Sequence, residues 1–333
     1  MKVMRKSLPR IFFASVFMAA CFVVAPLWAC PIPVYQYSLE WWEQDAYEVY
    51  VFSTGELTDT QQALIDRLDI ISRSGDDANP ANLRLRRVHP DSEERVYAHS
   101  ALRGERPETL PWMVVFYPSV SANPRTPVWA GALTEDNVDA LLDSPFRQQL
   151  CEQLLERCSV VWVLLESGDT RADNEAAALL ARELGRLQET LTIPNLSQWG
   201  AEDIEIAPIR FAIMRLSRND AAERMLRAML MNVESDLEDY ADQPMVFPIF
   251  GRGLIMEPLI GRGINPYMIR RAAEFLTGPC SCTVKSLNPG VDILTNVDWA
   301  ERIEPLSVEA TTAPGSLGGF LDSADSMDDA ERE

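Results

Sequence analysis

The sequence predicts an α/β protein with mixed central sheets flanked by helices, and three observations predict it. Short continuous apolar runs, such as Val160 to Leu165 and Met245 to Phe250, have the length of buried strands. Stretches such as Thr60 to Ile71 and Asn174 to Leu191 carry apolar residues at helical spacing. The order of these elements also occurs twice, over a middle region long enough for two domains.

In the first half, Glu48 to Phe52 is a short β-rich run that Ser53-Thr54-Gly55 breaks. Thr60 to Ile71 then places Ala63, Leu64, Leu68 and Ile71 on one helical face. Leu83, Leu85 and Val88 suggest a second strand. Pro111 opens the apolar run Trp112 to Tyr117, and Val128 to Gly131 follows a Pro-containing turn. Thr134 caps a helix with Val138, Leu141 and Leu142 on one face.

The second half repeats the order. Val160 to Leu165 is a strand, Glu166-Ser167-Gly168-Asp169 a break, and Asn174 to Leu191 a helix. Ile209 to Leu216 is a strand and Asp220 to Asn232 a helix. Pro244 opens Met245 to Phe250, Gly251-Arg252-Gly253 turns the chain, Leu254 to Ile260 returns, and Gly261-Arg262-Gly263 ends it. Tyr267 to Leu276 is the last helix, stopped by Gly278-Pro279. A proline inside a central strand loses a ladder hydrogen bond. Pro248 therefore marks either a bulge or a run that is not one central strand.

The order β-α-β-(α)-Pro-β-turn-β-Gly-α resembles the thioredoxin fold, twice. Ala130-Gly131-Ala132-Leu133-Thr134 with the helix to Leu142 is similar to the last strand and helix of thioredoxins. Pro244 stands at the place of the family's cis-proline, with Pro111 its counterpart, and Gly253 and Gly261 bracket the returning strand with similar spacing. The resemblance implies two tandem thioredoxin-like domains, 30–150 with an aromatic N-terminal arm and 151–285. A leader at 1–29 precedes them, and a C-terminal extension with an acidic tail, 286–333, follows. It also implies that Pro111 and Pro244 are cis. Leu110 with Pro111, and Gln243 with Pro244, would edge grooves able to pair with an extended peptide backbone.

The chain departs from that family where its chemistry lies. A redox thioredoxin carries Cys-x-x-Cys after its first strand. Here those places hold Ser53 to Glu56 and Glu166 to Asp169, with no cysteine nearby in sequence. Thiolate attack has no nucleophile there.

The first 29 residues read as a secretory leader. Lys2, Arg5, Lys6 and Arg10 form a basic start, and Ile11 to Ala29 runs without a charge. An uncleaved anchor is the alternative, since the run is almost long enough to span a bilayer. Leu27-Trp28-Ala29-Cys30 resembles a lipoprotein signal, which implies acylation of Cys30; Trp28 stands where a small residue is usual, and Met18-Ala19-Ala20-Cys21 is a weaker candidate. Cys30-Pro-Ile-Pro-Val-Tyr-Gln-Tyr-Ser-Leu-Glu-Trp-Trp, with Tyr47 to Phe52, also resembles an exported, uncharacterised protein family of planctomycete-type bacteria. The expected location is the periplasm or cell envelope.

The formal charge is -20, and removing a leader with four basic residues and no acid takes it to -24. That disfavours nucleic acid, whose phosphates need clustered Lys and Arg. It disfavours anionic lipid as well, so membrane contact would come only through a lipid anchor or an uncleaved leader. From about Glu304 onward the chain is rich in Ser, Ala, Gly and acid, too poor in apolar side chains to offset its conformational entropy, and reads as a disordered tail.

The two histidines, His89 and His99, exclude a zinc site built on several histidines, and neither sits in a nucleophile context. Cys151 and Cys158 are seven residues apart, about 10 Å of helical rise, and pair only if a helix stops between them. Cys280-Ser281-Cys282 is the sharpest local signal. It is structural, bridged to Cys151 and Cys158, or a redox pair, or a soft-metal site for Cu(I), with Lys285 near enough to lower a thiol pKa. The two Gly-Arg-Gly turns suit anion binding or plain hairpin geometry. Tyr35, Tyr37, Trp41, Trp42, Tyr47 and Tyr50 would pack an N-terminal arm onto the first domain, or form a partner-binding or membrane-edge patch.

The leading expectation is an exported, non-catalytic binding or adaptor protein with a protein partner in the cell envelope and no cofactor. A thiol-disulfide oxidoreductase using Cys280 and Cys282 is one alternative, and a copper-handling protein using the same pair is the other.

Overall fold

The computed structural model describes residues 30–53, 56–72, 81–88, 110–118, 127–193, 196, 204–280 and 290–306. The leader with Cys21, the two histidines, Cys282, Lys285 and the tail past 306 lie outside them.

A short strand β1 (Cys30–Pro33) and helix α1 (Val34–Trp41) open the chain. The first sheet is built from β2 (Tyr47–Phe52), β3 (Leu83–Val88), β4 (Trp112–Phe116) and β5 (Pro127–Ala132). Helix α2 (Asp59–Ser72) joins β2 to β3, and α3 (Glu135–Leu142) and α4 (Pro145–Leu155) follow β5. The second sheet uses β6 (Val160–Leu165), β7 (Phe211–Leu216), β8 (Met245–Phe250), β9 (Leu254–Ile255) and β10 (Leu259–Ile260). Helix α5 (Thr170–Thr190) joins β6 to β7, α6 (Arg224–Met231) precedes β8, and α7 (Pro266–Thr277) follows β10. A strand β11 (Pro279–Cys280) and a one-turn helix α8 (Trp299–Arg302) follow.

The strand orders are β3-β2-β4-β5 and β7-β6-β8-β10, with β9 also on β8. In both sheets the first strand runs parallel to the one after its crossover helix and antiparallel to the next, which pairs antiparallel with the return. Two mixed sheets of the same connectivity, each flanked by helices, have a topology consistent with a thioredoxin-like one.

Local chemistry sets the boundaries. Helix α5 starts at Thr170, four residues before the expected Asn174, because the Asp169 carboxylate caps it by accepting from the Arg171 and Ala172 N–H groups at 2.9 and 3.2 Å. The expected return from Leu254 to Ile260 is two separate two-residue strands. That break explains Pro248. Its carbonyl accepts from Met256 N–H at 2.8 Å, so its missing N–H points toward that same edge, between the segments paired with β9 and β10. The ladder to β6, where Pro248 faces Trp162, loses nothing.

Every residue of β6 is buried, as a strand covered on both faces requires. Val161, Val163 and Leu165 face one core with α4, and Val160, Trp162 and Leu164 face the other with α5 and α7. Helix α6 serves two cores. Met225 and Met229, one turn apart, enter the core of the first sheet, while Leu226 and Leu230 on the adjoining stripe enter that of the second.

Residues 290–306 form a strap used in the same way. Val291 and Leu294 pack with the first sheet, and Ile293, Trp299 and Ile303 with the second. Tyr47 donates its hydroxyl to Asp292 O at 2.8 Å, and Asp45 N–H donates to the Asp292 carboxylate at 2.9 Å. Arg147, 1 % exposed, donates to Leu141 O at 2.9 Å and to Leu294 O of the strap at 2.8 Å. Its Nε donates to Ser144 Oγ, which donates in turn to Glu223 at 2.6 Å.

The aromatic arm lies elsewhere than expected. Tyr47 belongs to the first core, but Tyr37 and Trp42 pack on the second sheet, Trp42 edge-on to Phe250 with centroids 6.5 Å apart. The Tyr35 hydroxyl donates to Ala207 O. Helix α1 packs on α7 and β8, and two of its buried apolar residues, Val34 and Leu39, join the two cores of the second sheet.

Candidate functional site

In thioredoxins the redox site lies at the end of the first strand, beside the proline that opens the third, and each sheet of this chain has a corresponding corner. In the first sheet, Phe52 pairs with Trp112, directly after Leu110 and Pro111. Leu110–Pro111 is the cis peptide bond among the described residues. Gln243–Pro244 is trans, which corrects the expectation for the second sheet. Pro111 is buried and its carbonyl accepts from Leu133 N–H at 3.0 Å, while Leu110 leaves 41 % of its surface exposed. An apolar side chain thus stands open beside a fixed proline.

The equivalent corner of the second sheet is tied by backbone hydrogen bonds. Gln243 N–H donates to Tyr240 O at 2.9 Å, and Pro244 O accepts from Gly261 N–H at 2.9 Å. Gly261 has φ of +48°, and a Cβ there would collide with the Gln243 side-chain amide oxygen. The loop between β6 and α5, which corresponds to the place of the cysteines in thioredoxins, is held by carboxylates. Asp173, 2 % exposed, accepts from Ser167 N–H, Ser167 Oγ and Gly168 N–H at 2.8, 2.8 and 3.1 Å. Gly168, at φ +96°, makes the turn that aims these donors inward. With Asp169 on the first helical amides, the donors that would greet an anion are engaged within the chain.

Arg218 lies beside this loop. Its Nε donates to Glu166 O at 3.1 Å, and Arg227 donates to its carbonyl. Its Nη2 is buried without an acceptor, and burial lowers its pKa. Arg252 of the first Gly-Arg-Gly turn donates to Leu39 O and Glu40 O, each at 2.9 Å, so this arginine fastens the end of α1. Arg262 of the second turn is exposed.

The described cysteines sit apart from these corners. Cys151 and Cys158 are free and buried in the α4 core; α4 ends at Leu155, between them, and Arg157 takes φ of +62°. Burial pushes the Cys151 thiol up to about 12, and burial raises Cys158 as well. Cys280 lies in the other core of the second sheet, so the expected bridging to Cys151 and Cys158 is absent. Its proposed redox or metal partner, Cys282, is outside the described residues. Among the described residues no three His, Cys, Asp or Glu gather as metal ligands, and no helix is long and apolar enough to cross a membrane.

Sequence reasoning missed Asp173. An acid in the first turn of a helix that follows Ser-Gly-Asp was the available signal, since such a side chain can reach back to the loop amides.

No protein-family model matches the chain, and neither a curated protein nor a solved structure matches it. The thioredoxin-like description rests on strand order and connectivity.

Proposed function

We propose that the chain is an exported, non-catalytic binding protein of the cell envelope, and that it takes an extended peptide of a protein partner at the Leu110–Pro111 corner. The observation that carries this is the contrast between the two corners. One is closed by Asp173, Gln243 and Gly261, while the other presents an exposed leucine beside a buried proline. An extended peptide adds main-chain bonds at such an edge and seats alternate side chains against apolar surface. No described thiol stands at either corner to make the encounter a reaction.

A peptide library screened on the purified full chain tests this. Selected peptides should lose binding at least tenfold to Leu110→Asp and keep it with Gln243→Ala. Exchange of a model disulfide by the wild type, abolished in a Cys280→Ser, Cys282→Ser variant, would replace this reading with an oxidoreductase.

A further inference from the structure

Strands β1 and β11 form an antiparallel ladder separate from both sheets. In it Cys30 stands opposite Cys280 and, across an irregularity, Pro33 opposite Pro279. Val34 N–H donates to Gly278 O at 3.0 Å, so the backbone is tied beyond the cysteine pair as well. Facing residues of an antiparallel pair have Cα atoms about 4.5–5.5 Å apart. An S–S bond spans Cα separations of about 4.4–6.8 Å. Cys280 is 2 % exposed among Val34, Ile269 and Leu276, a setting that holds its backbone in place. Cys151 and Cys158 belong to the opposite core and do not compete for it.

We propose that Cys30 and Cys280 form a disulfide that staples the start of the mature chain to the end of α7. The oxidant is a small-molecule or protein disulfide, for which oxidised glutathione serves in the test. One protein thiolate attacks the glutathione disulfide and expels one glutathione thiolate. The second protein thiolate then attacks the protein sulfur of the mixed disulfide and expels the other. One S–S bond forms in the protein, one breaks in glutathione, and two electrons and two protons leave with the two glutathione thiols. The same bond excludes lipid attachment at the Cys30 sulfur, because a sulfur in a disulfide has no thiol to alkylate. The staple and the lipid are alternatives for one sulfur atom.

The test uses the reduced, purified full chain incubated with oxidised glutathione, then blocked with N-ethylmaleimide, digested and mapped by mass spectrometry. The expected product is a peptide pair linked through Cys30 and Cys280 that dithiothreitol separates and that Cys280→Ser lacks. The thermal midpoint of the oxidised wild type should fall by about 5 °C or more on reduction, while that of Cys280→Ser stays put. The wild-type map decides even if the variant fails to fold. Maleimide on both Cys30 and Cys280 after oxidation, or a Cys280–Cys282 link in their place, would overturn the staple. So would a lipid attached through a thioether to the Cys30 sulfur of the chain isolated from its producing cell. None of these outcomes touches peptide binding at Leu110, so the two proposals fail separately.

Discussion

Ser167 gives both its backbone N–H and its hydroxyl to the same carboxylate oxygen of Asp173, each at 2.8 Å. The other oxygen takes Gly168 N–H. One buried side chain therefore ties down the loop between the first strand of the second sheet and its crossover helix.

Asp173→Ala should cost about 1–3 kcal/mol, because it leaves those donors without acceptors in a buried place. Ser167→Ala removes one donor and should cost less. Urea denaturation of the two variants gives the comparison, and equal losses would show that the loop is held by something else.

Arg147 is the second sensitive position. Its guanidinium serves carbonyls of α3 and of the strap and reaches Glu223 through Ser144. Arg147→Met should lower stability by about 3–5 kcal/mol, as removal of one member of a buried polar network does. Glu223→Gln keeps the shape and an acceptor and should cost less. The denaturant midpoint measures both.

Alkaline pH should loosen the fold in a defined window. Burial raises Cys151 from 9.0 to about 12 and Tyr35 from 10.0 to about 12. Both groups stay protonated in the native chain while the unfolded chain ionises, so the unfolded state binds fewer protons there. Their contribution is complete below about pH 9 and is lost as pH rises through about 12. Urea midpoints taken at intervals from pH 8 to pH 11 should decline from about pH 9 upward, and Cys151→Ala should flatten the first part of that decline.

Gly253→Ala should destabilise by about 1–3 kcal/mol. Gly253 has φ of +106°, and a Cβ there would stand 2.8 Å from Ile293 Cγ1 of the strap. Gly185→Ala, where an added Cβ meets nothing within 4 Å, is the control and should be neutral or stabilising.

Much of this architecture was legible because apolar runs and caps are local. Val160 to Leu165 and Met245 to Phe250 were bounded to the residue, and Thr134 caps its helix by accepting from Asn137 N–H. The isomer of Pro244 was not legible, since cis and trans X–Pro differ by only about 0.5–1 kcal/mol before tertiary contacts act. Nor was the strap. Val291, Ile293 and Leu294 are too few to show a period, and their partners lie far away in sequence, as with Gln44, Tyr47 and Asn82. The second stripe of α6 was hidden for the same reason. Of the candidate site, the prolines and the missing cysteines could be read, while the carboxylate that fills the gap left only the weak local signal of an acid in the first turn of a helix after Ser-Gly-Asp.

The strap also reaches into a core far from it in sequence. Val291 and Leu294, with Met225 and Met229, belong to the core of a sheet whose own strands end at Ala132. Part of the apolar lining of that sheet is thus supplied by residues more than a hundred and fifty positions further along the chain, so a substitution at Val291 or Leu294 should weaken the first sheet as well as the strap.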